Sequence, residues 1–319
     1  MRKWQLLLIV VLWWLWPATA AKASGAGFTV TPQLPAEQIG ENRGWFDLLA
    51  KPGQQLVLSV VVANDDTTAK HLKLQLTDAY TQANGQIGYA PNQQPLIEAT
   101  TRLTKLGSKP VTITLAPHTG RTVTFQVQIP AIGLSGQVLG AIYVEDLTTA
   151  PQASASGFAV ANAFAMVVAV QLQTNQTPPA PLLRLAKVTP KATAVIARIE
   201  NPRPRLFGQI TYQAKLTAVG DTKAIATQQD RNMQMAPNSA FDYQIALSKP
   251  LAAGRYQLTL TATAGDKRWV MTKAITITAQ AAAKAGAKTG TSWWWIGFSG
   301  LGIVALIAAV WWRKRRYRA

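Results

Sequence analysis

The sequence predicts an all-β fold with two tandem Ig-like β-sandwich domains, followed by a single C-terminal transmembrane helix. Apolar and polar residues alternate with period two through the middle of the chain, one turn pattern occurs in both halves, and an uncharged apolar run lies near the C-terminus. Period-two alternation is typical of strands that bury one face. The 319 residues suffice for two domains of ordinary size.

Strands are predicted where the alternation coincides with β-branched or aromatic residues. Turn formers such as Asn64-Asp65-Asp66 and Asn84-Gly85 separate them. Short strands at this spacing indicate sandwiches. The predicted strands cover residues 56–62, 72–76, 111–115, 122–129, 138–144, 164–172, 194–200, 208–218, 241–247, 256–264 and 269–278.

The turn pattern that recurs has two parts. Val60–Asn64 resembles Val195–Asn201, since each is an apolar strand that ends in Asn at a turn. Ala116-Pro117-His118-Thr119 and Ala236-Pro237-Asn238-Ser239 each precede a further strand. In such a turn a polar side chain can tie the loop before the next strand begins. The repeat indicates two copies of a similar plan.

The N-terminus reads as a secretory signal peptide over residues 1–23. Arg2 and Lys3 precede the apolar stretch Leu6–Trp16, and small residues that suit a cleavage site follow. An uncleaved N-terminal anchor is the alternative, which the short apolar stretch and Pro17 disfavour. We expect the first domain at 24–150, the second at 151–279 and a stalk-like linker at 280–292.

The C-terminal region reads as a membrane anchor. Trp293–Trp312 is uncharged and long enough to span a hydrocarbon core of about 30 Å as a helix. Tryptophans at its edges and basic residues in the tail 313–319 predict a cytoplasmic C-terminus and an extracellular N-terminal region in the cell membrane. No LPxTG-type pentapeptide precedes the run, so we expect a permanent anchor. The predicted anchor residues are Trp293, Trp294, Trp295, Trp311, Trp312, Arg313, Lys314, Arg315 and Arg316.

Charge and composition exclude some classes of function and favour others. The formal charge is +18. Eight of the basic residues lie near the two ends, and the rest of the chain has 24 basic and 14 acidic residues. This excess of positive charge favours attraction to an anionic cell wall. The alternative is that it serves solubility alone. Scattered basic residues and few aromatics give no support for nucleic-acid binding. The absence of cysteine excludes disulfides, Cys-based zinc sites and thiol nucleophiles.

Nothing in the sequence indicates catalysis or a cofactor. His71 and His118 are the two histidines, both beside turns, and no HExxH, Walker or GxSxG motif occurs. Asp65-Asp66 lies in a turn, and Glu145-Asp146 is a weak candidate for a cation. We therefore expect a protein that is not an enzyme and has no cofactor.

Aromatic residues near polar turns are the candidate binding residues. Trp45 follows Asn42-Arg43-Gly44, and Tyr80 and Tyr89 flank Asn84-Gly85. Such rings can stack on sugars, which makes Trp45, Tyr80 and Tyr89 candidate peptidoglycan contacts. The alternative is that Phe46 and one of the tyrosines fill the core.

Motifs throughout the chain resemble the WxL-interacting proteins of Gram-positive bacteria. In the first half they lie at 28–32, 44–48, 51–54, 84–89, 129–130 and 136–142, and in the second half at 233–241, 253–256 and Trp269. The resemblance implies a peptidoglycan-binding domain, a host-binding domain and a C-terminal membrane helix. It also implies peptidoglycan, WxL-domain surface proteins and host extracellular matrix proteins as partners.

The expected function is a membrane-anchored cell-surface scaffold or adhesin that binds peptidoglycan through its first domain and proteins through its second. The alternative is an extracytoplasmic β-sandwich chaperone or assembly factor for secreted surface proteins, which would bind its clients through exposed strand edges. A wall hydrolase is a third class, and no catalytic constellation supports it.

Overall fold

The computed structural model describes residues 25–91, 97–148 and 164–289. Strands dominate these residues, as predicted, and two helices accompany them. None of the helices in these ranges is long and apolar enough to cross a membrane. The predicted signal peptide, the predicted span at 293–312 and the basic tail lie outside the described residues.

The first module contains ten strands and one short helix. They are β1 (Phe28–Gln33), β2 (Phe46–Leu49), β3 (Gln55–Asn64), β4 (Lys70–Asp78), β5 (Tyr80–Thr81), β6 (Ile87–Gly88), α1 (Leu103–Leu106), β7 (Val111–Leu115), β8 (Gly120–Gln128), β9 (Val138–Asp146) and β10 (Ala165–Gln173).

Two sheets of the first module face each other across one apolar core. The first sheet has the order β1-β3-β8 and the second has the order β2-β10-β9-β4-β7. Alternate residues of each strand point inward, so Leu58 of β3 and Phe125 of β8 pack in one cluster with Leu74 of β4. The buried apolar residues of β3 lie at every second position, from Leu56 to Val62.

Strand β10 packs with the first module although it lies after residue 151. We expected residues from 151 onward in the second domain, but β10 pairs antiparallel with β9 and parallel with β2. Val168, Val170 and Leu172 contribute to the first core. Alternation assigns one face of a strand to a core without identifying which core, so the sequence pattern left this choice open.

The second module contains seven strands and a C-terminal helix. They are β11 (Arg184–Pro190), β12 (Ala194–Asn201), β13 (Phe207–Ala218), β14 (Ala224–Met235), β15 (Ser239–Ala246), β16 (Gly254–Ala264), β17 (Lys267–Ile277) and α2 (Ala279–Thr289). The sheets β11-β12-β15 and β14-β13-β16-β17 enclose a second core. Tyr212, Phe241 and Tyr243 lie at its centre, with ring centroids 5.6 to 6.3 Å apart.

All the predicted strands are present, but β1, β2, β5, β6, β11 and β14 were not predicted. Strand β14 lies at the edge of its sheet, and its central residues include Thr227, Gln228, Gln229 and Asp230. An edge strand with so few apolar side chains gives little periodic signal. The segment that we expected to be a linker begins as helix α2, which is rich in alanine, the best helix former.

The corner after β3 is held by one buried asparagine side chain. Nδ2 of Asn64 donates to the carbonyl oxygens of Thr68 at 2.8 Å, Ala116 at 3.0 Å and Leu115 at 3.3 Å. Its Oδ1 accepts from the backbone N of Asp66 at 3.0 Å. The side chain thus satisfies backbone groups on two connections at once.

The corner after β12 repeats this arrangement in the second module. Nδ2 of Asn201 donates to the carbonyl oxygens of Arg205 at 2.8 Å and Ala236 at 2.9 Å, while its Oδ1 accepts from the backbone N of Arg203 at 3.1 Å. The bonded positions, two and four residues after the asparagine, are the same as in the first corner. The structure confirms the predicted repeat of this turn.

The two modules contact each other through the hairpin β5–β6. Oγ1 of Thr81 accepts from the backbone N of Ala236 at 3.0 Å and lies 2.7 Å from Oγ of Ser239. A small apolar cluster continues the contact, with Leu139 from the first module and Leu206 from the second. The repeated corner of the second module therefore docks on the first, whereas Ala116 and Thr119 of the equivalent corner are exposed.

Candidate functional site

A small cavity surrounds Trp45 at one edge of the first module. Gly44 has a φ of +77°, a value that favours glycine, and it turns the chain into β2. Phe46 and Leu48 then point into the core with no exposed surface. Since side chains alternate along a strand, Trp45 and Asp47 point the other way, into the cavity.

The cavity has a volume of 170 Å³ and combines an aromatic ring with charged and amide groups. This volume is below the range of pockets that enclose drug-sized ligands, about 300 to 1,000 Å³. The site can therefore take one ring or side group of a polymer. Its lining residues are Gln38, Ile39, Gly40, Glu41, Arg43, Trp45 and Asp47.

Backbone and amide hydrogen bonds fix the floor of this cavity. The backbone N of Asp47 donates to Oε1 of Gln38 at 3.1 Å. The backbone carbonyl oxygen of Asp47 accepts from the backbone N of Ile39 at 2.8 Å. Nε2 of Gln171, on β10, donates to Oδ1 of Asp47 at 2.9 Å. Burial raises the pKa of Asp47, although the Gln171 bond and the charge of Arg43 oppose the rise.

This arrangement suits recognition of a sugar that carries a peptide. The half-buried indole of Trp45 offers an apolar face, and the carboxylates of Glu41 and Asp47 can accept hydrogen bonds from hydroxyl and amide groups. The guanidinium of Arg43 can pair with a carboxylate of the ligand.

Tyr80 borders a separate cleft between the modules. The cleft has a volume of 320 Å³ and brings Tyr80 and Gln82 close to Arg198 and Asp242 of the second module. Arg198 donates from Nη1 to Oδ1 of Asp242 at 3.1 Å, so this ion pair forms part of the wall. Sequence reasoning missed the cleft because its residues come from strands of different modules.

Tyr89 lies in the contact between the modules. It packs against the apolar cluster that contains Ala79, Leu139 and Ala236. Burial raises the pKa of Tyr89 to about 12. Trp45, Tyr80 and Tyr89 thus occupy three different places, while Phe46 is buried in the core as the alternative interpretation expected.

Of the remaining titratable candidates, His71 and Asp146 have side-chain partners. Nδ1 of His71 lies 3.0 Å from Oγ1 of Thr114, and His118 occupies an exposed turn with a φ of +54°. Asp146 is buried and accepts from Nζ of Lys70 at 2.9 Å, while Glu145 points to the opposite face of β9. Across the described ranges, no group of three or more acidic or histidine side chains could hold a metal ion.

Comparison with solved structures gives only weak likenesses. Red sea bream transglutaminase is 14% identical over 79% of this chain and 31% of that chain, with a TM-score of 0.22. The YadV chaperone is 10% identical over 79% and 100%, with a TM-score of 0.31. The CsuC–CsuE chaperone–tip adhesion subunit complex of Acinetobacter baumannii is 11% identical over 68% and 90%, with a TM-score of 0.31. At these TM-scores we base no conclusion on them.

Family models give a much clearer result. The model described as WxL Interacting Protein, peptidoglycan binding domain, matches residues 28–146, and the model described as WxL Interacting Protein, host binding domain, matches residues 155–287. No curated protein matches the chain. Both models describe binding domains rather than enzymes and support a binding role at the cell surface. Because the two matches together take up most of the chain in this order, the chain belongs to the WxL-interacting protein family.

Proposed function

We propose that the protein is a membrane-anchored scaffold or adhesin of the cell surface. Its first domain would bind peptidoglycan, and its second would bind WxL-type surface proteins or host matrix proteins. The observation that carries the proposal is that the peptidoglycan-binding model matches the module that contains the Trp45 cavity. The uncharged run Trp293–Trp312 and the basic residues after it support the membrane anchor.

The Trp45 cavity is the proposed peptidoglycan contact. The indole would cover one face of a sugar ring, and Asp47, fixed by Gln38 and Gln171, would accept hydrogen bonds from its polar groups. Arg43 would attract a carboxylate of the stem peptide. Since Asp47 is already hydrogen-bonded to Gln38 and Gln171, binding would not need to order this carboxylate.

The test is co-sedimentation of the full-length chain, in non-ionic detergent, with peptidoglycan sacculi stripped of anionic polymers. We expect wild-type protein to sediment at moderate salt and Trp45→Ala to bind about tenfold more weakly, since losing one stacked aromatic group removes roughly 1 to 2 kcal/mol. Trp45→Phe should keep part of the affinity.

Tyr80→Ala is the matched control, because Tyr80 lies in the other cleft. Equal loss in Trp45→Ala and Tyr80→Ala would move the contact away from the Trp45 cavity. If wild-type protein fails to sediment with stripped sacculi, the peptidoglycan function itself is wrong.

A further inference from the structure

The positive charge of the protein is concentrated in the second module. Residues 28–173 contain eight Lys and Arg against nine Asp and Glu, whereas residues 174–289 contain sixteen against five. The first module is therefore close to neutral. Residues 147–183 contain no charged side chain, so this contrast is the same wherever the boundary between the modules is drawn within them.

The outward face of the sheet β14-β13-β16-β17 has an unusual composition. Alternate residues of the strands point outward, and most of them are threonine or glutamine, for example Gln213 of β13 and Thr259 and Thr261 of β16. A shallow depression of 450 Å³ lies at its centre, lined also by Lys215, Thr227 and Gln229. Gln213, Lys215, Thr227 and Gln229 are exposed, while the hairpin β5–β6 contacts the edge strand β14 at Gln234.

Every charged residue that points outward from these four strands is a cation. They are Lys215 on β13, Arg231 on β14, Arg255 on β16 and Arg268 on β17. Within the described ranges, none of the four lies within 4.0 Å of a carboxylate oxygen.

Asp230 of β14 points to the inner side of the sheet, where its Oδ2 accepts from the hydroxyl of Tyr243 at 2.6 Å. Two further carboxylates lie outside the face. Asp221 and Asp266 occupy the turns at its two ends, and Asp266 is paired there with Lys267 at 3.0 Å. The interior of the face is therefore free of negative charge, and an anion that lies across it meets no repulsion from a neighbouring side chain.

The cations are spread along the strand direction. Strand spacing and rise place the Cα of Lys215 roughly 14 Å from that of Arg255 and roughly 16 Å from that of Arg268. Rows of threonine and glutamine lie between them. Such a surface can pair with charges at intervals and donate hydrogen bonds to hydroxyl oxygens in between.

A sheet of the first module with a similar outward composition shows that this pattern is not general. The sheet β1-β3-β8 also presents threonine and glutamine outward, with Thr124 and Gln126 as examples. Its outward residues include no charged side chain. The two faces share their threonine and glutamine content but differ in charge. This difference indicates that the cations serve a function of the second module.

We propose that the outward face of β14-β13-β16-β17 binds a wall polymer whose hydroxylated units are joined by phosphodiesters. The four cations favour an anionic ligand by charge complementarity. The threonine and glutamine rows suit a polymer that carries hydroxyl groups. Three of the four cations are arginines, whose fork matches phosphate oxygens. The polymer shares the wall with the peptidoglycan of the first site, so one chain can hold both at a high effective concentration.

The test measures binding of the full-length chain, in non-ionic detergent, to immobilised poly(glycerol phosphate). We expect the double variant Lys215→Gln, Arg231→Gln to bind about tenfold more weakly and with a shallower salt dependence. The matched control is Lys191→Gln, Lys249→Gln, which removes the same charge from exposed positions off the face. It should bind within about twofold of wild type, and Trp45→Ala should bind as wild type does.

Three outcomes would overturn the proposal. The first is equal loss in the control pair, which would reduce the effect to net charge. The second is the absence of wild-type binding to poly(glycerol phosphate). The third is that this face binds another anionic ligand as tightly as the phosphodiester polymer, or more tightly. The ligands to compare are a polysaccharide that carries carboxylates and vesicles that contain anionic phospholipid. Sedimentation with stripped sacculi tests the Trp45 site separately.

Discussion

The repeated asparagine corner offers a sharp test of what holds each module together. In Asn64→Ala, the carbonyl oxygens of Thr68, Leu115 and Ala116 lose their side-chain donor, and the backbone N of Asp66 loses its acceptor. Asn64 is 1% exposed, so water reaches these groups poorly. Buried polar groups left without partners cost about 1 to 3 kcal/mol each, and partial relaxation is expected.

We therefore expect Asn64→Ala to lower the free energy of unfolding by about 2 to 4 kcal/mol. Asn64→Asp should cost at least as much, because a carboxylate has no donor for the three carbonyl oxygens. Asn201→Ala should behave similarly in the second module, since Asn201 is fully buried with two carbonyl partners.

The assay is urea denaturation of the full-length chain in detergent, followed by circular dichroism. Asn42→Ala is the control, because its Oδ1 accepts from the backbone N of Gly44 at 3.0 Å in an exposed turn, without the buried amide donor bonds. We expect this control to change stability by about 0.5 kcal/mol or less. If Asn64→Ala unfolds at the same urea concentration as Asn42→Ala, the corner does not stabilise the module as reasoned.

Two further predictions concern buried polar groups. Burial alone would raise the pKa of Asp146, but hydrogen bonds from Thr148 and Lys70 outweigh it and hold the pKa below 3.8. The stabilisation by ionised Asp146 should thus be complete above pH 3.8 and should fall as the pH drops through the lowered pKa. In urea titrations at pH 7, Asp146→Asn should lower the free energy of unfolding by about 3 kcal/mol, and it should flatten the dependence of stability on pH. An unchanged loss of stability at acid pH in this variant would contradict the prediction. Tyr212→Phe should leave the melting temperature equal or higher, since the hydroxyl of Tyr212 has no hydrogen-bond partner among the described residues. Tyr243→Phe should lower the melting temperature, because it breaks the 2.6 Å hydrogen bond to Asp230. The reverse order of melting temperatures would refute this assignment.

Much of the fold follows from local pattern. The sequence predicts a strand at 56–62, and the structure has β3 at Gln55–Asn64. The repeated Asn and Ala-Pro turns were also visible, because each corner needs the same short side chain at the same offset. Strand β14 escaped prediction since its polar residues at a sheet edge need little burial.

The sites depended more on tertiary structure. The sequence pointed to Trp45, Tyr80 and Tyr89 as aromatic residues near turns, but chain pairing separated them into a cavity, a cleft and a module contact. Their side-chain types do not encode which strands become neighbours. The cleft at Tyr80 exists only because Arg198 and Asp242 arrive from another module.

The sequence by itself determined the all-β class, most of the strands, the repeated corners and the family. These depend on local periodicity and on residue types at fixed offsets. Tertiary structure decided that β10 joins the first module, that the Thr81 hairpin docks on the second, and that Lys215 and Arg268 share one carboxylate-free face. Such features depend on pairing between residues far apart in the chain, and alternation fixes which way a side chain points without fixing its neighbours.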